Sequence, residues 1–358
     1  MLLLKNNHEN IFIPHLLLYR SLSGAVFFAC ECFNPAKVTW QVFFWRNSVF
    51  ISSKFLQLIG LLSLIVIATV IAACSSEEEA TVEDVESSGK LVNAEWMLKN
   101  LDNQDVVVVD LRKEEDYAAG HIPGAIRLTP KSVFQQEDEN GVAGMLPAAS
   151  HIATALSELG IEPSDTVVFY DSSSNLWASR ALWAMDVYGH RDSKLIDGSW
   201  NYWSANELET STDVPEVNAS NYAFTAAPDL SIIAGWEEVL ESVDDPSKIV
   251  CDTRSPEEFS GKDVRAAAGG HIPEAGNVNW NRSVNEQGEF LPVTELRDIY
   301  EGEGIRGDKV VFTLCQTAVR ATHSWFVLQE LLGYETVKVY DGSWTEWGNR
   351  TDLPITTR

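Results

Sequence analysis

Cysteine is scarce in this chain, and so is positive charge. Among 358 residues there are five cysteines, at 30, 32, 74, 251 and 315. None belongs to a C-x-x-C pair, which leaves little support for a zinc site or a redox dithiol. Lysine and arginine number 26 against 52 aspartates and glutamates, a formal charge of −26. A surface of that sign repels phosphates and argues against a nucleic-acid partner. It suits a soluble, dispersed protein in salty surroundings. With 45% hydrophobic and 22% charged residues the composition is globular, and the length allows two ordinary domains.

One long apolar run stands out. FLQLIGLLSLIVIATVIAA, 55–73, follows Lys54 and carries no charge. About 20 such residues can span a bilayer. The run ends in Ala72-Ala73-Cys74 and gives way to SSEEEATVEDVESSG. Small residues before a cysteine resemble a bacterial lipoprotein signal, whose cysteine is lipidated and becomes the mature N-terminus. That resemblance implies a signal or anchor over 1–73, excluded from fold reasoning, and Cys74 as the lipidation site. An acidic, disordered linker is expected over 74–89, with the remainder tethered to the extracytoplasmic face of the cell membrane. The alternative is an uncleaved anchor helix with an incidental cysteine. Residues 1–50 fit neither pattern and point to a start assigned too far upstream.

The rest is one unit written twice. VVVVDLRKEEDYAAGHIPGAIRL (106–128) is echoed by KIVCDTRSPEEFSGKDVRAAAGGHIPEAGNVNW (248–280), and SKLIDGSWNYW (193–203) by VKVYDGSWTEW (337–347). Such repeats predict two domains, over 90–210 and 225–352, joined by a connector over 211–224. Short β-branched runs at 106–109, 166–169, 248–250 and 310–313 have the pattern of buried parallel strands. Between them lie helical patterns, among them 150–159 and 321–332. The alternation predicts an α/β fold, each domain a mainly parallel sheet with helices on both faces. Ligands in such sheets bind beyond the carboxyl ends of the strands.

KVVFTLCQTAVRATHSWF places Cys315 there, in the loop between a strand and a helix. Such a loop aims backbone N–H groups inward and adds the positive end of the helix. Free thiols titrate at about 8.5, and helix N-termini lower that value. Arg320 adds a permanent charge at the rim. The pattern suits a thiolate that attacks an anionic donor and holds a group covalently. A lone cysteine is more often a buried small hydrophobe, which is the role expected of Cys251. In the first repeat, Asp171 precedes Asp197 by the interval at which Cys315 precedes Asp341. A carboxylate cannot carry sulfur as a thiol does, so the first domain is expected to be catalytically silent.

YAAGHIPGAIRL (117–128) and VKVYDGSWTEW (337–347), with this arrangement of domains, resemble the tandem-domain rhodaneses, the thiosulfate sulfurtransferases. The resemblance implies that Cys315 takes the outer sulfur of thiosulfate, releases sulfite, and passes the sulfur from its persulfide to cyanide or a thiol. It implies that Gln316, Thr317, Ala318, Val319 and Arg320 cradle the persulfide, and that Arg180 reaches the interdomain site to grip the donor. No metal and no organic cofactor is implied. A glycine is usual in the family where Ala318 stands; if that position requires φ > 0, alanine is strained there.

Other candidates are expected to be structural: Asp252, Arg254 and Glu258 as a charge-paired network, echoed by Asp110, Arg112 and Glu115 or Asp116; His121 and His271 as turn locks; Trp344 and Trp347 in the core or the interdomain cleft. His323 either leans toward the loop or packs. Three rivals remain. A mercaptopyruvate sulfurtransferase tends to have glycine after the cysteine and threonine, not arginine, near the loop's end. A phosphatase of the related fold has a loop one residue longer. A non-enzymatic sensor would bind reduced sulfur without turnover.

Overall fold

Parallel pairing dominates the computed structural model, and it follows from the valine-rich runs. The structure describes residues 89–357 and, ahead of them, two short paired strands, β1 (Leu18–Arg20) and β2 (Val26–Phe28). The remainder of the expected signal segment and linker, Cys74 included, lies outside the described residues. Among the described residues no helix is long and apolar enough to cross a membrane.

The first domain contains β3 (Leu91–Val92), α1 (Ala94–Asn100), β4 (Val106–Asp110), α2 (Glu114–Ala119), β5 (Ile126–Arg127) and α3 (Pro130–Phe134). A small hairpin follows, β6 (Gln136–Glu137) with β7 (Ala143–Met145), then α4 (Ala149–Glu158), β8 (Thr166–Tyr170), α5 (Leu176–Val187), β9 (Ser193–Ile196) and α6 (Ser199–Ala205). The second domain repeats the plan with β10 (Ile233–Ala234), α7 (Trp236–Glu241), β11 (Lys248–Asp252), α8 (Pro256–Phe259), β12 (Gly276–Asn277), α9 (Val293–Gly302), β13 (Val310–Leu314), α10 (Val319–Phe326), β14 (Val337–Tyr340) and α11 (Ser343–Trp347).

The two five-stranded sheets have the same order, β3-β9-β8-β4-β5 and β10-β14-β13-β11-β12, with every pairing parallel. The central strands are the runs read from the sequence, each extended by one or two residues. Burial on both faces explains their unbroken apolar character. The helix expected at 321–332 starts at Val319 and turns π-helical over Val327–Leu331. One face of each sheet packs into a single apolar cluster that crosses between the domains, where Trp183 of α5 and Trp325 of α10 are buried. The other faces have private clusters, around Met97 and Trp203 in the first domain and Trp344 and Trp347 in the second. Trp344 and Trp347 therefore pack core and do not line the interdomain cleft.

Candidate active site

Strand β13 delivers Cys315 at its carboxyl end. Its apolar residues Val311, Phe312 and Leu314 are buried, and Cys315 itself is only 1% exposed. The turn is held from below by the start of α11. The Cys315 N–H donates to the Ser343 hydroxyl at 3.2 Å, and the Cys315 carbonyl accepts from the Trp344 N–H at 2.9 Å. Gln316 is fixed the same way: its carbonyl accepts from the backbone N–H (3.0 Å) and the hydroxyl of Thr345. Its side-chain amide donates to the Arg265 carbonyl at 3.2 Å. The first domain braces the loop's outer edge, where Gln135 donates to the Thr317 carbonyl at 2.8 Å.

Ala318 has φ 59° and ψ 1°, the left-handed conformation. That turn reverses the chain so that Val319 and Arg320 begin α10 close above the cysteine. Alanine pays a steric penalty here that glycine would not, which meets the condition set from the sequence. Among the described residues, the backbone N–H groups of Gln316, Thr317, Val319 and Arg320 donate to no protein oxygen. They form a nest available to an anion.

Arg320 is not a free cation at the rim. Its guanidinium grips Glu258 through two hydrogen bonds, 2.6 and 2.9 Å. Burial works against the Glu258 carboxylate, but the Arg320 hydrogen bonds and charge outweigh it and hold the group at about 2. Burial likewise opposes the Arg320 charge, while Glu258 and the sulfur of Cys315 raise its pKa. Glu258 is placed by a capping box with Ser255 at the head of α8. This corrects its expected place in the Asp252–Arg254 network. That pair stands by itself, with Arg254 bidentate to Asp252 and the Arg254 guanidinium 4.1 Å from the Trp344 ring. Asp110, Arg112 and Trp200 repeat it in the first domain.

Arg180 is the larger correction. It is fully buried, donates to Asp341 of the second domain at 2.7 Å, and donates to the carbonyls of Phe134 and Gly144 at 3.1 Å each. Protein acceptors from both domains thus engage this guanidinium, making it a clamp and not a grip on a small donor. The reason lies in helix register. Arg180 is the fifth residue of α5, after the left-handed cap Asn175. The fifth residue of α10, after the left-handed cap Ala318, is His323, not Arg320. His323 is fully buried between the rings of Trp280 and Phe290, at 5.1 and 5.0 Å. Neither of its ring nitrogens makes a hydrogen bond of ordinary geometry, although the Ser174 backbone acts on the ring. Burial depresses its pKa to about 3, so it is neutral and packed.

The first domain contains the same turn with its centre filled. The Asp171 N–H and carbonyl meet Ser199 and Trp200 as those of Cys315 meet Ser343 and Trp344. The Asp171 carboxylate accepts the backbone N–H groups of Ser173, Asn175, Trp177 and Ala178 at 2.7 to 3.1 Å. An internal carboxylate occupies the anion nest that the second domain leaves open. Cys251 is fully buried in β11, where burial and then the neighbouring Asp252 push its thiol pKa well up. His121 and His271 tie each domain's turn to its tail, through backbone bridges to Ser211 and Thr356.

The rhodanese-like domain model matches residues 93–206 and again 236–350. The chain belongs to the rhodanese family. Among curated relatives it is 37% identical over 274 residues to a Saccharopolyspora erythraea protein named "Putative thiosulfate sulfurtransferase", covering 74% of this chain and 95% of that one. It is also 37% identical over 279 residues to the sulfur carrier protein TtuD of Thermus thermophilus, with the same coverages. Among solved structures, the anaerobic ergothioneine biosynthesis enzyme of Chlorobium limicola superposes with a TM-score of 0.67 at 26% identity, over 76% of this chain and 71% of that one. Rhodaneses with such relatives point to sulfur transfer as the chemistry of the fold. Ser343, Gln135 and the clamp Asp341 escaped notice as site-forming residues, although Asp341 and Ser343 belong to the repeated DGSW motif. The SPEE box around Glu258 was a local signal for a helix cap, not for its partner.

Proposed function

We propose that this rhodanese moves the outer sulfur of thiosulfate to a thiophilic acceptor. The observation that carries the reading is Cys315, which follows the carboxyl end of the central strand β13 and lies in an open N–H nest, whereas Cys251 lies inside β11. The Cys315 thiolate attacks the outer sulfur of thiosulfate. A new sulfur–sulfur bond forms, the bond within thiosulfate breaks, and sulfite leaves with the electron pair. The persulfide's terminal charge sits among the loop amides. Cyanide or a thiolate then attacks the terminal sulfur, and Cys315 returns as thiolate. Arg320 positions the loop by tying it to Glu258 and sets a positive charge beside the sulfur.

Relatives named for thiosulfate sulfurtransferase and for sulfur carriage support the reading, as does glutamine at 316, which suits thiosulfate better than mercaptopyruvate. The test is steady-state thiocyanate formation from cyanide with thiosulfate or mercaptopyruvate as donor. Turnover with thiosulfate exceeding that with mercaptopyruvate is expected, and its loss in Cys315→Ser. The opposite donor preference would hand the assignment to mercaptopyruvate sulfurtransferase. One sulfur bound per chain without turnover would make the protein a sensor.

A further inference from the structure

The silent domain carries a cleft that the mechanism does not use. Above the Asp171 turn lies a cavity of about 430 Å³ whose wall includes Lys113, Arg127, Lys131, Ser173 and Trp177. A second cavity, about 400 Å³, shares Lys131 and Trp177 with it and extends to Gly144 and Thr317 of the catalytic loop. The two make one path from the first domain to the edge of the Cys315 nest. Gly144 keeps the far end open and close: a Cβ there would stand 2.7 Å from Thr317 Cβ, and its φ of 94° also disfavours a side chain.

The charge of this path runs against the rest of the molecule. On a chain of net charge −26, lysines Lys99, Lys194, Lys248 and Lys338 are matched with carboxylates, while Lys262 and Lys309 stand singly elsewhere on the second domain. Among the described residues, Lys113 and Lys131 have no carboxylate within ion-pair distance, and Arg127 reaches only Glu114 at 3.6 Å. Against these cations stand Asp116 on the first cavity's wall, Glu137 on the second's, and Asp171, whose carboxylate is taken up by four backbone amides. Because Asp171 already fills the nest, a ligand's negative charge must rest on the lysines, not in the turn. Trp177, at the junction, offers an apolar flank to the ligand's body.

We infer that this path binds the sulfur acceptor, a small thiol bearing carboxylates, with its anionic end at Lys113, Arg127 and Lys131 and its sulfur at Thr317. The inference rests on the sulfur-transfer reading above and names the acceptor's chemical class. In the transfer step the bound thiolate attacks the outer sulfur of the Cys315 persulfide, the cysteine's sulfur–sulfur bond breaks, and the acceptor departs as its own persulfide.

The test uses the full chain and S-methylglutathione, an anionic probe whose blocked sulfur cannot react. Calorimetric titration is expected to show binding to the wild type and to Cys315→Ser. It should weaken at least roughly tenfold in Lys113→Glu/Lys131→Glu, and weaken with added salt as exposed charge contacts do. Persulfide discharge by glutathione should show the same loss as a raised KM, while discharge by uncharged 2-mercaptoethanol is unchanged. No binding to the wild type, equal binding to the double variant, or equal loss with both thiols would overturn the inference. Binding that persists in a protein producing no thiocyanate from thiosulfate would instead reject the donor assignment and leave the cleft.

Discussion

Arg180 in the first domain and Asp341 in the second form an ion pair of 2.7 Å, with side chains 0% and 5% exposed. The other Asp341 carboxylate oxygen accepts the Leu146 N–H at 2.6 Å, so one acid holds two segments of the opposite domain. The relation is mirrored without its cation: Asp197, the Asp341 counterpart, accepts the Phe290 N–H at 2.9 Å. Removing one member of a buried pair strands the other, at a cost of about 3–5 kcal/mol. Arg180→Ala is therefore expected to lower the denaturation midpoint strongly, while the thiosulfate KM of the folded enzyme changes little. Asp341→Ala should behave alike, and the double variant should lose less than the sum of the two. Additive losses, or a large KM change at unchanged stability, would return Arg180 to the substrate.

Glu258→Gln tests the anchor of the loop that holds Cys315. The neutral amide cannot hold Arg320 as the carboxylate does, and small displacements of a catalytic group can cost as much as about 10²-fold. A fall in kcat/KM of roughly 10- to 100-fold is expected. Glu258 is held at about 2, below its ordinary 4.5. Its contribution to stability is complete above the ordinary value and is lost as the pH falls toward about 2. Acid denaturation of Glu258→Gln should lack that part of the wild-type decline. Superimposable acid curves would remove the ion pair from the account.

Ala318→Gly tests the strain in the same loop. Leaving the left-handed region to glycine removes a penalty of about 1 kcal/mol or more, offset by the added freedom of the unfolded chain, about 0.4–1 kcal/mol. The variant should be as stable as the wild type or up to about 1 kcal/mol more so, by chemical denaturation. A clear loss of stability would mean that the methyl group packs usefully where it sits.

Much of this was legible because it is local or periodic. Valine runs flanked by helical patterns identify buried parallel strands, and the GHIP and DGSW repeats disclose the tandem plan. Cys315 could be found because a strand, a short loop and a helix are contiguous in sequence. Partners distant in sequence were not legible. Arg180 meets Asp341 across 161 positions, and Glu258 meets Arg320 across 62. Nor does sequence counting from the cysteine reveal that α5 and α10 must be aligned at their left-handed caps, which pairs Arg180 with His323. The Asp171 carboxylate can be placed opposite the cysteine by counting, but its capture of four amides needs coordinates.

The sequence around Cys74 carries a separate prediction. Protein recovered from the cell membrane fraction should begin at Cys74 and bear acyl groups, as read by mass spectrometry of its N-terminal peptide. A chain that retains 55–73 would favour the alternative expectation, an uncleaved anchor with an incidental cysteine.

The central claim is a sulfur held on Cys315 between two half-reactions. Intact-mass spectrometry of the protein before thiosulfate, after it, and after subsequent cyanide reads it directly. The account predicts a gain of one sulfur atom that cyanide removes, retained in Cys251→Ala and absent from Cys315→Ser. No gain with thiosulfate, or a gain that survives in Cys315→Ser, would contradict it.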